Sequence, residues 1–512
     1  MVGKTKSASK KSSTPPARPS RQPATPKADE IAVRMYRQGL GDCFLLTFPG
    51  RERPVYMLID CGLMLGTEKQ LEKMQAVAED IRATTGGRLD VVIATHEHWD
   101  HLSGFIQAKE VFEKIEIGEL WLAWTEDPDN ELAQKLRRER KAAFAALQRA
   151  ASRLQAAGSP KASALMNLLE FAGPLGAKPS ATTEAALAFI RTRVDRPRFC
   201  YPGREPFSLP GVDGVHIYVL GPPENEQLLK KGDPTKRGKE VYELTFATEF
   251  TRAFIAALDT AEEPFENLTI DQRRDYELSL PFDRSLQLSI EAAKQEAFFR
   301  NRYGFPSDPP MVPPYADELS WRRIDTDWLE MAGSLALKLD NDTNNTCLAI
   351  AIELTATGKV LLFPGDAQVG NWLSWADLCW PKDAKPEDSN AITAAHLLAR
   401  TVLYKVGHHA SHNATLREKG LELMISGELV ALIPVDEDIA RNKKHWDMPF
   451  PALLKRLEQK TKGRIIRADC TVSDLKKSPN PNHISPAEWN AFLDKISADQ
   501  NDELYVEYRI SV

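Results

Sequence analysis

The chain has 512 residues, 42% hydrophobic and 27% charged, ordinary proportions for a globular chain able to bury a large core. Sixty-six basic against 72 acidic side chains leave a net charge of −6, which excludes a uniformly basic nucleic-acid coat but not a local basic patch. No uncharged apolar run approaches the ~18 residues of a membrane span, and the N-terminus lacks the apolar centre of a signal peptide. Six scattered cysteines without a CxxC pair read as reduced thiols of a cytoplasmic protein.

Residues 1–29 carry seven Lys or Arg against one Asp among Ser and Pro, and are expected to be a disordered basic tail. A solubilising role is the plain reading, and an arm that neutralises phosphates is the alternative. Residues 30–125 read as the first half of an α/β core. IAVRMY and CFLLTF flank the turn GLGD (Gly39–Asp42), PVYMLID supplies a third strand, EKQLEKMQAVAEDIRAT a helix ending at Gly86–Gly87, and LDVVIAT a strand buried on both faces. Residues 126–198 turn helical and charged, as an insertion, and core strands return over 199–223. A second, mostly helical insertion is expected over 224–335. Residues 336–512 then form the second half of the core, with strands in TCLAIAIEL, KVLLFPGD, LVALIPV, GRIIRAD and LYVEYRISV, and helices around AHLLARTVL and FPALLKRLEQK.

The strand LDVVIAT runs into HEHWDH, which places His96, His98, Asp100 and His101 within six residues. The HxH pair puts two ring nitrogens on one side of an extended segment, where they can grip one metal, and the DH pair can grip a second. Imidazole plus carboxylate suits Zn²⁺, Mn²⁺ or Fe better than Ca²⁺ or Mg²⁺. Asp366 follows the strand LLFPG and is read as a ligand by its strand-end position. His408 and His409 follow another strand, and only one of them needs to bind metal. Asp60, after an apolar strand, suits the role of holding a ligating imidazole by its second nitrogen.

HEHWDH, LIDCG (Leu58–Gly62), LLFPGDA (Leu361–Ala367) and YKVGHHASHNAT (Tyr404–Thr415) together resemble the metallo-β-lactamase superfamily. GLGDCFLL, NNTCLAI (Asn344–Ile350), LLFPGD and KVGHHAS further resemble the soluble nuclease-like domain of ComEC-type DNA-uptake channels. The resemblance covers about residues 30–125 and 336–475. It implies a four-layer αβ/βα sandwich with two largely helical insertions. It also implies two divalent transition-metal ions, Zn foremost with Mn or Fe as alternatives, held by His96, His98, Asp100, His101, Asp366 and His408 or His409. His408 is the preferred member of that pair, because related branches place Ser or Thr three residues after the ligand, as Ser411 is here. Asp60 would stand behind them.

The same resemblance makes Ser411, His412, Asn413 and Thr415 a loop for phosphate oxygens, with a polar turn as the alternative, and lets Asn344 and Asn345 orient substrate at the start of a strand. Three departures stand out. The third His of the founding pattern is missing, since only His216 lies between His101 and Asp366 and its strand setting reads as structural. Ala410 stands for the usual Gly, and Cys347 for the usual Ser. His445 is a minor candidate for substrate contact; His396 and His483 read as structural.

The chemistry implied is metal-assisted hydrolysis by a bridged hydroxide that Asp100 orients, with His412 or another nearby imidazole protonating the leaving group. A phosphodiester substrate, nucleic acid included, is the first reading, without membrane insertion and with no protein partner indicated. A hydrolase of carbon esters, lactones or amides on the same centre, and a non-catalytic interaction protein, are the alternatives. The basic run KLRRERK (Lys135–Lys141) reads as a solvated helix face, or else borders the catalytic mouth and draws in a polyanion.

Overall fold

A computed structural model describes residues 29–156, 159, 161–173, 181–232, 331–381, 384–388, 391–481, 483–501 and 503–512, with scattered positions between 267 and 322. The expected tail therefore lies outside the described residues apart from Asp29, as does most of the second insertion. Among the described residues, eight strands form one sheet, in the spatial order Ile496–Ala498, Tyr505–Ser511, Glu30–Tyr36, Cys43–Phe48, Val55–Cys61, Arg88–Ala94, Glu116–Ala123 and Arg198–Cys200. Seven form a second, in the order Ile465–Arg467, Val430–Ile433, Thr401–Lys405, Lys359–Phe363, Ala349–Leu354, Val215–Gly221 and Phe207–Ser208. The C-terminal strand closes the first sheet by pairing antiparallel with the first strand, from Glu30 opposite Ser511 to Tyr36 opposite Tyr505.

Strands such as Cys43–Phe48 and Val55–Cys61 are buried along their whole length because each face meets a different layer. Ile31, Val33, Met35 and Ile93 pack inward against Ile217, Ile350, Ile352 and Leu361 of the opposite sheet. The alternate residues Leu58, Val92 and Leu120 meet Met74, Val77, Ile81, Leu102 and Phe105 of the helices Gln70–Thr85 and Trp99–Gln107. On the far side, Leu362, Tyr404 and Ile433 pack under Leu397, Leu398 and Leu457 of the helices Ala394–Ala399 and Pro451–Thr461. The result is the four-layer αβ/βα sandwich. No described helix is long and apolar enough to cross a membrane.

Several elements differ from the sequence expectation. The helix in AHLLARTVL stops at Ala399, and Thr401–Lys405 is a strand parallel to Lys359–Phe363; β-branched Thr401 and Val402 favour the pleat. The strand Glu116–Ala123, which carries no expectation, pairs parallel with Arg88–Ala94. Asn344 and Asn345 end the helix Met331–Asn345 instead of opening a strand, which begins at Ala349. That helix runs past the expected boundary at residue 335. Its Ala332, Leu335, Ala336 and Leu339 form one apolar face, buried against Ala143, Leu147, Leu154 and Leu165; tertiary packing overrides the weak helix propensity of its asparagines. The partners come from the helices Glu131–Ala156 and Lys161–Leu169 of the first insertion.

Close backbone approach at the edge of the first sheet requires glycine. A Cβ on Gly62 would stand 2.4 Å from the Asp100 carbonyl carbon, whereas one on Gly86, the helix C-cap at φ 64, would meet nothing within 4 Å. Gly62→Ala is expected to lower the free energy of urea unfolding by about 3 kcal/mol, and Gly86→Ala by about 1 kcal/mol, the cost of a left-handed Ala. Equal, small losses in both variants would mean that the Gly62 contact yields easily.

Candidate metal centre

The chemical groups gather where several strands end on one edge of the sandwich. Arg88–Ala94 leads into HEHWDH, Lys359–Phe363 into Asp366, and Thr401–Lys405 into His408 and His409. Backbone bonds brace this edge: Leu348 N–H donates to Thr95 O across the two sheets at 2.9 Å, Asp42 N–H to Asp100 O at 3.0 Å, and Gly62 N–H to Asp42 O at 3.0 Å.

Asp60, in the left-handed region at φ 56, accepts from Thr95 N–H at 2.8 Å and Thr95 Oγ1 at 2.7 Å, and pairs with His101 Nδ1 at 2.8 Å. This fixes the His101 ring and leaves Nε2 for Asp366 Oδ2, 3.0 Å away. The other Asp366 oxygen accepts from Lys405 Nζ and from His408 N–H, both at 3.0 Å. Lys405 Nζ also reaches Asp42 Oδ2 at 2.5 Å and Gly365 O at 2.9 Å. His409 turns Nδ1 to Pro434 O at 2.6 Å and Nε2 to Asp100 Oδ2 at 2.9 Å. Asp100, His101, Asp366 and His409, all buried, thus offer ligand atoms within 4.8 Å of one another. Asp42, Asp60 and His101 form a second such group, but there the His101 Nδ1 is already engaged by Asp60.

Beside this quartet, the His96 and His98 rings lie 4.5 Å apart and the His96 and His101 rings 4.3 Å apart. The Nε2 atoms of His96 and His98 and Oδ1 of Asp100 are buried without any hydrogen-bond partner. Burial drives the His98 pKa down to about 3 and the His96 pKa well below its ordinary value, with the neighbouring imidazoles adding to the latter effect. Burial also lowers His101, but Asp366, Asp100, Asp42 and Asp60 more than offset it and hold His101 well above the ordinary range. Orphaned neutral imidazoles next to crowded carboxylates are costly in a dry interior unless a cation joins them. The residues fit divalent metal ions in both donor type and desolvation.

Other expected site residues have different surroundings. His408 stays outside the quartet, which contains its neighbour His409; its Nδ1 faces Ser411 Oγ at 3.1 Å. His408, His409 and Ala410 take left-handed φ of 45°, 51° and 64° in succession, a backbone path that swings adjacent imidazoles to different partners. Ser411 Oγ donates to Asn413 Oδ1 at 2.7 Å, Asn413 Nδ2 approaches Gly232 O at 3.4 Å, and Thr415 Oγ1 pairs with Tyr404 OH at 2.7 Å. His412 is exposed, with its ring 6.0 Å from that of Phe450. Asn345 Nδ2 donates to Lys231 O at 2.8 Å while its Oδ1 accepts from Asn371 N–H at 3.2 Å, and Asn344 Nδ2 reaches Asp340 Oδ2 at 3.3 Å. His216 lies opposite Glu353 and Ser208 within the second sheet. His396 completes a capping box with Thr393, and His445 and His483 are exposed.

Asp42 and Lys405 join the site without any expectation from the sequence, in which they read as a turn residue of GLGD and a strand residue before VGHHAS. Cys347 also belongs here: its Sγ accepts from Asp366 N–H at 3.1 Å and lies 3.5 Å from His96 Nδ1, in the place of the usual serine hydroxyl. Three members of the basic run, Lys135, Arg137 and Arg140, have partners within the chain. Arg140 pairs with Glu97 of HEHWDH, Arg137 donates to Thr125 O at 2.5 Å and Asp127 O at 3.1 Å, and Lys135 meets Glu226 at 2.8 Å. Arg138 stays exposed.

Residues 37–137 match the family model described as Metallo-beta-lactamase superfamily, a segment that contains Asp42, Asp60 and HEHWDH. No curated protein matches the chain. The matched segment and the His/Asp cluster point to a metal-dependent hydrolase.

Lys405 is the buried cation between Asp42 and Asp366. Lys405→Met is expected to reduce the stability of chelator-treated protein by about 3–5 kcal/mol, because two buried carboxylates lose their counter-charge. Adding Asp42→Asn should recover part of that loss. Urea unfolding of both variants checks this, and an unaltered midpoint in the single variant would mean that the pair is not a stabilising contact.

Proposed function

We propose that the chain is a metal-dependent phosphodiesterase, with nucleic acid among its substrates, that acts in the cytoplasm. The observation that carries the metal chemistry is the pair of buried, unpartnered imidazole nitrogens on His96 and His98 beside Asp366 and the Asp100–His101–His409 cluster. In this reading His96 and His98 would hold one ion, Asp100, His101 and His409 would hold the other, and Asp366 would serve both. Such ions supply Lewis acidity and water activation near neutral pH. The unpaired state of all six cysteines supports a reducing compartment.

The chain's own groups prepare the site. Asp60 fixes the tautomer of His101 by accepting a hydrogen bond from its Nδ1–H. Lys405 and the His408 N–H pin Asp366 through one oxygen and leave the other toward His101. His408, with Nδ1 facing Ser411 and its pKa drawn down by burial to about 4, is a neutral imidazole at physiological pH. Its unprotonated Nε2 is the group we assign to substrate, as a hydrogen-bond acceptor, and not to the proton-donating role expected of His412. Phosphodiester specificity is supported by the resemblance of four stretches, GLGDCFLL, NNTCLAI, LLFPGD and KVGHHAS, to the DNA-uptake nuclease-like domains. One observation favours a carbon ester instead: the side chains of Ser411, Asn413 and Thr415 already hydrogen-bond within the fold.

Parallel assays with an aryl phosphodiester and an aryl ester decide between these substrates. The diester should be hydrolysed faster, and Asp366→Asn should lower that rate at least about a hundredfold while the fold is kept. Faster ester turnover would replace the diester reading, and an active Asp366→Asn variant would remove Asp366 from the centre.

A further inference from the structure

Beside the shared Asp366, the His96/His98 pair has two imidazole ligands of its own, and the third histidine of the founding pattern is missing. His216, the one remaining imidazole in the chain between His101 and Asp366, is committed to the second sheet opposite Glu353 and Ser208. The nearest acidic partner of His98 comes from elsewhere. Asp340, on the helix Met331–Asn345, places Oδ1 3.9 Å from the orphaned His98 Nε2. Two donor atoms that share one ion at about 2.0–2.1 Å each stand about 3.3 Å apart at the tetrahedral angle, so a side-chain adjustment of some tenths of an ångström closes the gap.

The position of Asp340 is built into the fold. Leu339 and Ala336 bury one face of its helix against the first insertion. Asn344 Nδ2, one turn on, donates to Asp340 Oδ2 at 3.3 Å and leaves Oδ1 for His98. Asn341 Oδ1 meets Asn413 Nδ2 at 3.5 Å, which ties the same turn to the loop after His409. Phe171, also from the first insertion, closes the other side of the His98 ring at 4.9 Å.

We propose that Asp340 is the third protein ligand of the His96/His98 site beyond the shared Asp366, a carboxylate from the helical insertion that takes the place of the missing histidine. This rests on the two-metal reading above. It assigns the insertion a direct part in the metal centre.

The test is metal content and Co²⁺ binding of the full chain, measured by elemental analysis and by ligand-field absorption, with far-UV circular dichroism as the check on folding. The wild type should bind two ions. Asp340→Asn should lose one of them or bind it at least about tenfold more weakly, as His98→Ala should. Asp340→His should restore it with a shifted Co²⁺ spectrum, because a nitrogen donor replaces an oxygen. If Asp340→Asn keeps two ions at wild-type affinity with an unchanged spectrum while His98→Ala loses one, the assignment of Asp340 is overturned and the metal centre stands. Failure of Asp340→His to restore the ion overturns the assignment in the same way. A wild-type chain that takes up no metal overturns both.

Discussion

Burial of like charge at one edge of the sandwich is the constraint that the rest of the structure serves. Asp42, Asp60, Asp100 and Asp366 are all nearly inaccessible to water, and isolated carboxylates in such a setting are prohibitively expensive. Each is therefore tied to donors that the fold must deliver: Thr95 and His101 to Asp60, Lys405 to Asp42 and Asp366, His409 to Asp100. Those donors sit on strand ends from both sheets, so the edge holds together only when the sheets are in register. The Leu348–Thr95 backbone bond across the layers fixes that register next to the His/Asp cluster.

Legibility in the sequence followed distance along the chain. HEHWDH could be read because its chemistry lies within six residues and a buried strand announces it. Asp60 and Asp366 could be read because each ends a strand of continuous apolar residues. Asp42 and Lys405 look like ordinary turn and strand residues until the fold brings them to 2.5 Å, and no local pattern marks a lysine that will be buried between two carboxylates. The pair His408–His409 shows the limit most clearly. Sequence spacing favoured the first, yet three successive left-handed residues direct the second to Asp100, a backbone path that non-glycine residues rarely adopt and that propensity does not foresee.

The architecture was legible for a related reason. Strands buried on both faces need a layer on each side, and the alternation of apolar runs with amphipathic helices leaves few arrangements other than a layered sandwich. What could not be read was where an insertion ends. Asn344 and Asn345 favour turns in isolation, but the apolar face of their helix finds Ala143, Leu147 and Leu165, and packing extends the helix through them.

The insertions are thereby part of the centre rather than appendages to it. Arg140 holds Glu97 between the two histidines of the HxH pair, Phe171 backs His98, and Asp340 approaches the same ring. Charge balance gives this arrangement its logic. With Asp340 included, the proposed centre gathers five carboxylates and Lys405, the one buried lysine among the described residues, which pairs with Asp42 and Asp366. Two divalent cations with neutral imidazoles would balance the four net negative charges of that set before any bound hydroxide is counted. The lysine that pins Asp366 brings a positive charge into the site, and in the proposed arrangement the Asp340 carboxylate offsets it.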